Sequence, residues 1–206
     1  VKPLRVLICG IPNVGKSTVI NSLAGRVAAK TGDEPGITKL EQKIVIANDF
    51  YLYDTPGMLW PCIVVAQSGY HLAASGAVGR NAYDDEEVAL MLLAALNRDY
   101  PGHVEQRYRL DATVARSDDE RLAAIGRQRG AVLPGGRIRL QKTAEIVLHD
   151  FRSGSLGRIT LEAPQDWQRW QAEAAVKEAE RAESIRAKAK TGSRSRAKAS
   201  AAADGQ

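Results

Sequence analysis

The chain has 206 residues, of which 44% are apolar and 26% are charged, so it has room for one or two domains with a real core and is not a disordered polypeptide. Two cysteines exclude a disulfide framework, and the longest apolar run, residues 88–96, is too short to span a bilayer. The few cysteines and the short apolar runs lead us to expect a cytoplasmic protein with no membrane partner. The formal charge of +5 is concentrated in residues 184–206.

The first motif is a phosphate-binding loop. Residues 4–9 are an apolar run that predicts a buried strand, with Cys9 in the core, and residues 10–17 then fit the spacing G-x-x-x-x-G-K-[ST]. In such a loop the backbone N–H groups surround phosphate oxygens, Lys16 contributes a positive charge and the Ser17 hydroxyl coordinates Mg²⁺. A glycine-rich turn without a ligand is the alternative, which the preceding strand and the predicted helix at residues 16–24 disfavour. The predicted nucleotide-binding residues are Gly10, Ile11, Pro12, Asn13, Val14, Gly15, Lys16, Ser17, Thr18 and Gly57.

A second motif, D-T-P-G, follows a predicted strand at residues 50–53. Asp54 at the end of that strand is a candidate Mg²⁺ ligand, and Gly57 lets its N–H approach a γ-phosphate closely because it has no side chain. Thr38, in the polar loop between the two motifs, is the candidate switch threonine and a third Mg²⁺ ligand, with a surface-loop threonine as the alternative. The predicted catalytic residues are therefore Lys16, Thr38 and Gly57.

The guanine-reading motif N-K-x-D does not occur in the chain. The nearest match, Asn97-Arg98-Asp99, has the wrong spacing and follows an apolar helix that it is expected to end. The sequence thus carries the half of a site that binds triphosphate and magnesium, without the half that reads the base. An ATPase or kinase with a phosphate loop stays open as an alternative.

The remaining elements are mainly helical. Residues 43–47 and 50–53 are expected to pair as a hairpin beside the first strand, which leaves a sheet of about three strands with an unsatisfied edge. Capping patterns at Asp84 and Ser117 predict helices over residues 85–96 and 118–129, and a third helix is expected at 143–152. For the acidic run that begins at Asp84, capping is a better explanation than metal binding.

The end of the chain is basic and rich in alanine. Residues 165–190 predict an exposed helix, and residues 191–206 predict a disordered tail. Lysine and arginine in a flexible tail neutralise nucleic-acid phosphates, although a solvated tail without a partner is as common. The candidate RNA contacts are Arg186, Lys188, Lys190, Arg194, Arg196 and Lys198.

Three stretches together resemble a known family. The segments GIPNVGKSTVINSLAGRVAAKTGDEPGIT, YLYDTPGMLWP and HLAASGAVGRNAYDDEEVALMLL are similar to the RbgA/YlqF group of circularly permuted GTPases that assemble the large ribosomal subunit. The resemblance implies an α/β fold: a partial, circularly permuted G domain of the P-loop NTPase type, followed by a mainly α-helical C-terminal domain and a basic flexible tail. The expected divisions are residues 1–80, 81–164 with a ribosomal RNA contact, and 165–206.

The resemblance also carries expectations about activity. It implies binding of GTP and GDP, hydrolysis of GTP, Mg²⁺ as cofactor, and a precursor of the large ribosomal subunit and its rRNA as partners. It places the base-reading motif before residue 1, so the chain is expected to be a fragment, and a fragment that binds ribosomes without hydrolysing GTP stays open. The side chains of Met58 and Leu59, which follow Gly57, cannot orient water by hydrogen bonding. Asn13 matches an asparagine that helps to bind K⁺ in related GTPases, and the alternative is that Asn13 only shapes the loop.

Overall fold

The computed structural model describes residues 2–29, 32, 40–60, 63, 65–111 and 117–203, with side chains in the last helix placed up to residue 184. The chain forms two compact units, the first made of Val1–Pro61 and Gln67–Leu161, the second of Cys62–Ala66 and Glu162–Gln206. The first unit contains a small sheet region and a helical region, each with its own hydrophobic cluster.

The sheet has three strands in the described part of the chain: β1 (Leu4–Ile8), β2 (Gln42–Ala47) and β3 (Phe50–Asp54). Their order is β1-β3-β2, with β3 parallel to β1 and antiparallel to β2, so the predicted hairpin beside the first strand is confirmed. The register pairs Ile8 with Asp54. The ends of β1 and β3 that lead into the two phosphate motifs therefore lie side by side.

Helix α1 (Lys16–Ala24) covers this sheet with little apolar contact. Its cluster has four buried residues, Ile20, Ala29, Ile44 and Leu52. The prediction that the first strand is buried is wrong, because β1 lies at one edge of the sheet with Leu4 and Leu7 more than half exposed. The expectation that Cys9 is a core residue is wrong, because Cys9 follows this edge strand and is exposed.

In the described residues, the helical region contains five helices and one short 3-10 turn at Arg80–Ala82. The helices are α2 (Ala66–Ser75), α3 (Asp85–Asp99), α4 (His103–Tyr108), α5 (Asp118–Gln128) and α6 (Leu140–Arg152). Their apolar faces enclose a cluster of fifteen buried residues, and helix α3 alone contributes Val88, Ala89, Leu92, Leu93 and Leu96 to it. The period of these residues, i, i+4 and i+7 among others, is that of a helix buried on one face.

Local hydrogen bonds set where two of these helices begin. The Asp84 carboxylate accepts from the backbone N–H of Glu86 and Glu87 at 2.8 and 3.0 Å, and the Ser117 hydroxyl accepts from Glu120 N–H at 3.2 Å. Both predicted caps are confirmed, and capping accounts for the acidic run at Asp84. Helix α6 begins three residues before its predicted start.

The second unit contains helix α7, Pro164–Ala203. The backbone stays helical beyond Lys190, where the sequence predicts a disordered tail, because alanine, lysine and arginine all have high intrinsic helix propensity. Within the described residues, no helix combines the length and apolar composition that crossing a membrane requires. The predicted divisions at residues 80 and 164 stay predictions.

Candidate nucleotide-binding site

The phosphate-binding loop joins β1 to α1 as the sequence predicts. Gly15 precedes the first helical residue with a φ of 87°, a left-handed conformation that glycine adopts without a steric penalty. Asn13 is also left-handed, with a φ of 58°, which asparagine tolerates better than most residues. The loop therefore directs the open N-terminus of α1, with its unpaired N–H groups and positive dipole end, toward the motif that follows β3.

Two side chains at the start of α1 reach across the loop. The Lys16 Nζ donates to the carbonyl of Ile11 at 2.8 Å, which holds the ammonium group over the loop. The Ser17 hydroxyl donates to the Asp54 carboxylate at 3.1 Å, and the Asp54 side chain is fully buried at the end of β3. Residues 37 positions apart in sequence thus meet at one point, as the two motifs require.

Gly57 lies directly against the phosphate loop. A Cβ atom at this position would stand 2.6 Å from Pro12 Cα and 3.1 Å from Lys16 Nζ, so no other residue fits without displacing the loop. Neighbouring bonds fix the contact, because Thr55 Oγ1 donates to Ile8 O at 2.8 Å and Met58 N–H to Gly10 O at 3.4 Å. The structure therefore brings the two predicted motifs into direct contact.

The donor atoms at this point suit a small divalent cation. The Ser17 hydroxyl and the Asp54 carboxylate are hard oxygen ligands of the kind that Mg²⁺ prefers. Neighbouring ligands of an octahedral ion with bonds of about 2.1 Å stand about 3.0 Å apart, which agrees with their separation of 3.1 Å. In the described part of the chain, no three or more His, Cys, Asp or Glu residues are grouped so that they could hold a metal ion.

Other predicted site residues are not placed. Thr38 lies outside the described residues, so its predicted role stays a prediction. The same holds for the side chains of the six candidate RNA contacts in the last part of α7.

Sequence reasoning did not find the partner of Asn13. The Asn13 side chain donates from Nδ2 to the carbonyl of Gly76 at 2.9 Å, at the end of α2. The same turn of α2 receives hydrogen bonds from Arg152 at the end of α6. No local pattern marks these contacts, because they join residues more than 60 positions apart.

A charge network centred on the buried carboxylate of Asp150 lies among the helices. The Asp150 carboxylate accepts two hydrogen bonds from Arg107, at 2.9 and 3.0 Å, and one from Arg129 at 3.3 Å. Burial acts to raise the pKa of Asp150, but the hydrogen bonds from Arg107 and the positive charges of Arg107 and Arg129 outweigh it, and the pKa lies below its usual value. Burial, with the nearby carboxylate, raises the pKa of Tyr108. This network is structural, because every charged member has a partner within the fold.

Comparison with known proteins agrees with this geometry. A family described as 50S ribosome-binding GTPase matches residues 5–127. Ribosome biogenesis GTPase A of Bacillus cereus is 41% identical over 166 residues, which are 81% of this chain and 56% of that protein. The protein of the same name from Thermotoga maritima is 29% identical over 165 residues, 79% of this chain and 57% of that protein.

Solved structures give the same result for the fold. GNP-bound YlqF from T. maritima superimposes with a TM-score of 0.56 at 26% identity, over 79% of this chain and 60% of that one. The GDP-bound TM YlqF gives 0.57 at 25% identity, over 80% and 62%. The chain spans a little more than half the length of the curated relatives described above. Because the family match covers more than half of the chain and contains both phosphate motifs, the chain belongs to the 50S ribosome-binding GTPase family.

Proposed function

We propose that this chain is the phosphate-binding and helical part of a cytoplasmic GTPase that binds a precursor of the large ribosomal subunit and hydrolyses GTP to GDP and phosphate. The observation that carries the proposal is the meeting of Lys16, Ser17, Asp54 and Gly57 at the open end of α1. Each of these residues has a distinct task toward a triphosphate. The names of the relatives, Ribosome biogenesis GTPase A, support the ribosomal role.

The residues divide the work of holding the phosphates. The loop N–H groups donate hydrogen bonds to phosphate oxygens, the N-terminus of α1 stabilises their negative charge, and Lys16 neutralises the outer phosphates. Ser17 and Asp54 would hold Mg²⁺, with Thr38 as a third ligand, and the ion supplies positive charge for the phosphoryl oxygens when bound. Gly57 offers a backbone N–H to the γ-phosphate at a point where any side chain would strike Pro12.

This division makes the site a switch. A γ-phosphate that bonds to the Gly57 N–H and to the Thr38 loop orders both segments, and its loss on hydrolysis releases them. Met58, which follows Gly57, is 71% exposed and has no group that can orient water, so the water-orienting group comes from elsewhere.

For Asn13, the loop-shaping role uses Nδ2, and binding of K⁺ near the phosphates would use the amide oxygen, so one side chain can serve both.

Contact with ribosomal RNA would use basic side chains of the helical region and of α7. Residues 122–144 contain five basic residues and no acidic residue, and all five are exposed. Part of this stretch is a hairpin closed by a turn at Pro134-Gly135, in which Leu133 O accepts from Gly136 N–H at 3.1 Å. Arg137 and Arg139 follow the turn, and they join the six lysines and arginines at positions 186–198 as candidate phosphate contacts.

The nucleotide proposal is tested by competition between GTP and ATP for a fluorescent GTP analogue bound to this chain with Mg²⁺. We expect similar affinities for the two nucleotides, because the chain contains no N-K-x-D motif, and a higher affinity in K⁺ than in Na⁺. An affinity for ATP at least tenfold higher than for GTP would contradict a GTPase and favour an ATPase.

The RNA proposal is tested by the salt dependence of binding to large-subunit ribosomal RNA. Replacing Arg137 and Arg139 together by glutamine is expected to reduce the slope of log K against log salt by about two. The matched control replaces Arg5 and Lys43, two exposed cations of the sheet, by glutamine. Equal slopes for the two double variants would contradict a role of the hairpin.

A further inference from the structure

The C-terminal turn of α2 is held from two sides by side chains distant in sequence. Asn13 donates to Gly76 O at 2.9 Å from the phosphate loop. Arg152, the last residue of α6, donates from Nε to Ala74 O and from Nη2 to Ala73 O, both at 2.8 Å. Carbonyl groups in the last turn of a helix have no partner within the helix and form the negative end of its dipole. The Asn13 amide and the Arg152 guanidinium therefore donate to favourable acceptors.

The turn itself has little freedom. Gly76 N–H and Ala77 N–H donate back to Ala73 O and Leu72 O at 3.0 Å, and Gly76 has a φ of 81°, which together form a Schellman motif. A Cβ atom at Gly76 would stand 3.3 Å from the Arg152 Nε, so the guanidinium packs on the bare glycine. Asn13 and Arg152 therefore bind neighbouring carbonyls of one constrained turn.

Arg152 is fixed in turn by the helical region. Helix α6 buries Val147 and Leu148 in the helical cluster, and Arg152 also donates to the Tyr83 hydroxyl at 3.0 Å. At the other end of the link, Asn13 has a left-handed backbone in the middle of the phosphate loop. A continuous path of hydrogen bonds thus connects the packed helices to the loop.

We propose that Arg152 is a positioning residue for the phosphate loop: it fixes the end of α2, and Gly76 then holds Asn13 in the conformation that the loop requires. The link couples the order of the loop to the packing of the last turn of α6. Its consequence for nucleotide affinity rests on the proposed function, whereas the link itself does not.

Amide hydrogen exchange in the absence of nucleotide tests the link directly. Four proteins are compared: the wild type, Arg152→Gln, Asn13→Gly and the double variant. Asn13→Gly removes the amide but permits the left-handed backbone. The matched control is Arg98→Gln, which removes an exposed arginine from the last turn of α3.

We expect Arg152→Gln to raise exchange of the Val19 and Met58 amides, whose N–H groups donate to Gly15 O and Gly10 O of the loop, about three- to tenfold, which lies within the range of coupling between groups in contact. Arg98→Gln is expected to leave these amides unchanged, and Arg152→Gln should add nothing in the Asn13→Gly background. If Arg152→Gln does not fold, Arg152→Lys is used, which keeps the charge but not the two-pronged geometry, and should give a smaller rise. Unchanged exchange of these two amides, an equal rise in the Asn13→Gly background, or a rise spread evenly over all helices would each overturn the proposal.

A second measurement separates this proposal from the proposed function. The affinity for Mg·GTP is expected to fall in Arg152→Gln as the fraction of chains with a competent loop falls, and to stay unchanged in Arg98→Gln. If the wild type binds no Mg·GTP, the proposed function fails while the exchange result still decides the link. If the wild type binds and Arg152→Gln binds equally well despite faster exchange, the claimed coupling to phosphate binding is wrong.

Discussion

The helical region and the sheet region of this chain differ sharply in how much apolar surface they bury. Among the described residues, fifteen buried side chains form the helical cluster, whereas the apolar cluster of the sheet region has four. Leu4, Leu7, Val19 and Leu23 of the sheet region each remain more than half exposed. The residues that would hold phosphate belong to the loops of the thinly packed region.

The difference separates two roles within one unit. The helical region has the larger described core and therefore the larger share of the apolar burial that drives folding. The sheet region has few such contacts, and regions of this kind open more easily and move more on ligand binding.

The largest expected effect on stability comes from truncating one buried leucine in each of the two hydrophobic clusters. Leu93→Ala removes a fully buried side chain of α3 and is expected to lower the free energy of unfolding by about 3–5 kcal/mol. Leu52→Ala in the sheet is expected to cost less, nearer 2 kcal/mol, because its thin surroundings can collapse into the space. Urea unfolding followed by circular dichroism measures both. A larger loss for Leu52→Ala would reverse the comparison.

The charge network of the helical region gives the next effect. Asp150→Asn leaves Arg107 and Arg129 without their carboxylate and is expected to lower the free energy of unfolding by about 1–3 kcal/mol. The loss is not larger because both arginines are about one third exposed, so solvent screens their charges.

The same network makes stability depend on pH. The pKa of Asp150 is lower in the folded protein than in the unfolded chain, so its contribution is present above the unfolded pKa of about 3.9. That contribution is lost as the pH falls through the folded pKa. The wild type should therefore lose more stability than Asp150→Asn between pH 5 and 2, two pH values chosen to bracket about 3.9. Parallel losses in acid unfolding curves would contradict the role of this carboxylate.

Gly57→Ala tests the contact that closes the sheet region on the phosphate loop. The new methyl group would stand 2.6 Å from Pro12 Cα, so either the D-T-P-G segment or the loop must move. We expect an affinity for Mg·GTP about tenfold lower, near 1.4 kcal/mol, with little change in helical stability. Gly130→Ala, which strains a left-handed turn outside the phosphate loop, is the control and is expected to leave the affinity for Mg·GTP unchanged. Unchanged binding by Gly57→Ala would show that the contact is not needed.

The smallest expected effect on stability comes from comparing the loss of a helix cap with the loss of a nearby charge. Asp84→Ala removes the side chain that caps α3 and is expected to cost about 1 kcal/mol. Glu86→Ala removes only a negative charge from the first turn and should cost about 0.3–0.5 kcal/mol. Thermal unfolding measures both variants, and equal losses would mean that the cap hydrogen bonds contribute nothing beyond charge.

Features set by neighbouring residues were predictable from the sequence. The phosphate loop, the β2–β3 hairpin and the caps at Asp84 and Ser117 all follow from spacing and from hydrogen bonds within a few positions. The close approach of Gly57 to Pro12 was predictable in kind, because both motifs imply a shared phosphate.

Features set by distant contacts were not predictable. No helix was expected over α2, whose sequence includes Ser68, Gly69 and Tyr70, because its order comes from packing Ala73 and Ala74 into the helical cluster. The six-residue helix α4 is too short for a periodic pattern. Arg152 and Gly76 carry no motif at all, since their meeting depends on the fold.

The central claim is that the first motif of this chain holds the phosphates of a nucleotide, and calorimetric titration with Mg·GTP tests it most directly. The wild type is compared with Lys16→Ala and with Lys43→Ala, which removes an exposed lysine of β2. The account predicts that Lys16→Ala lowers the affinity at least about tenfold, because it loses a charge-assisted contact, and that Lys43→Ala changes it little. Equal affinities for the wild type and Lys16→Ala would contradict the claim.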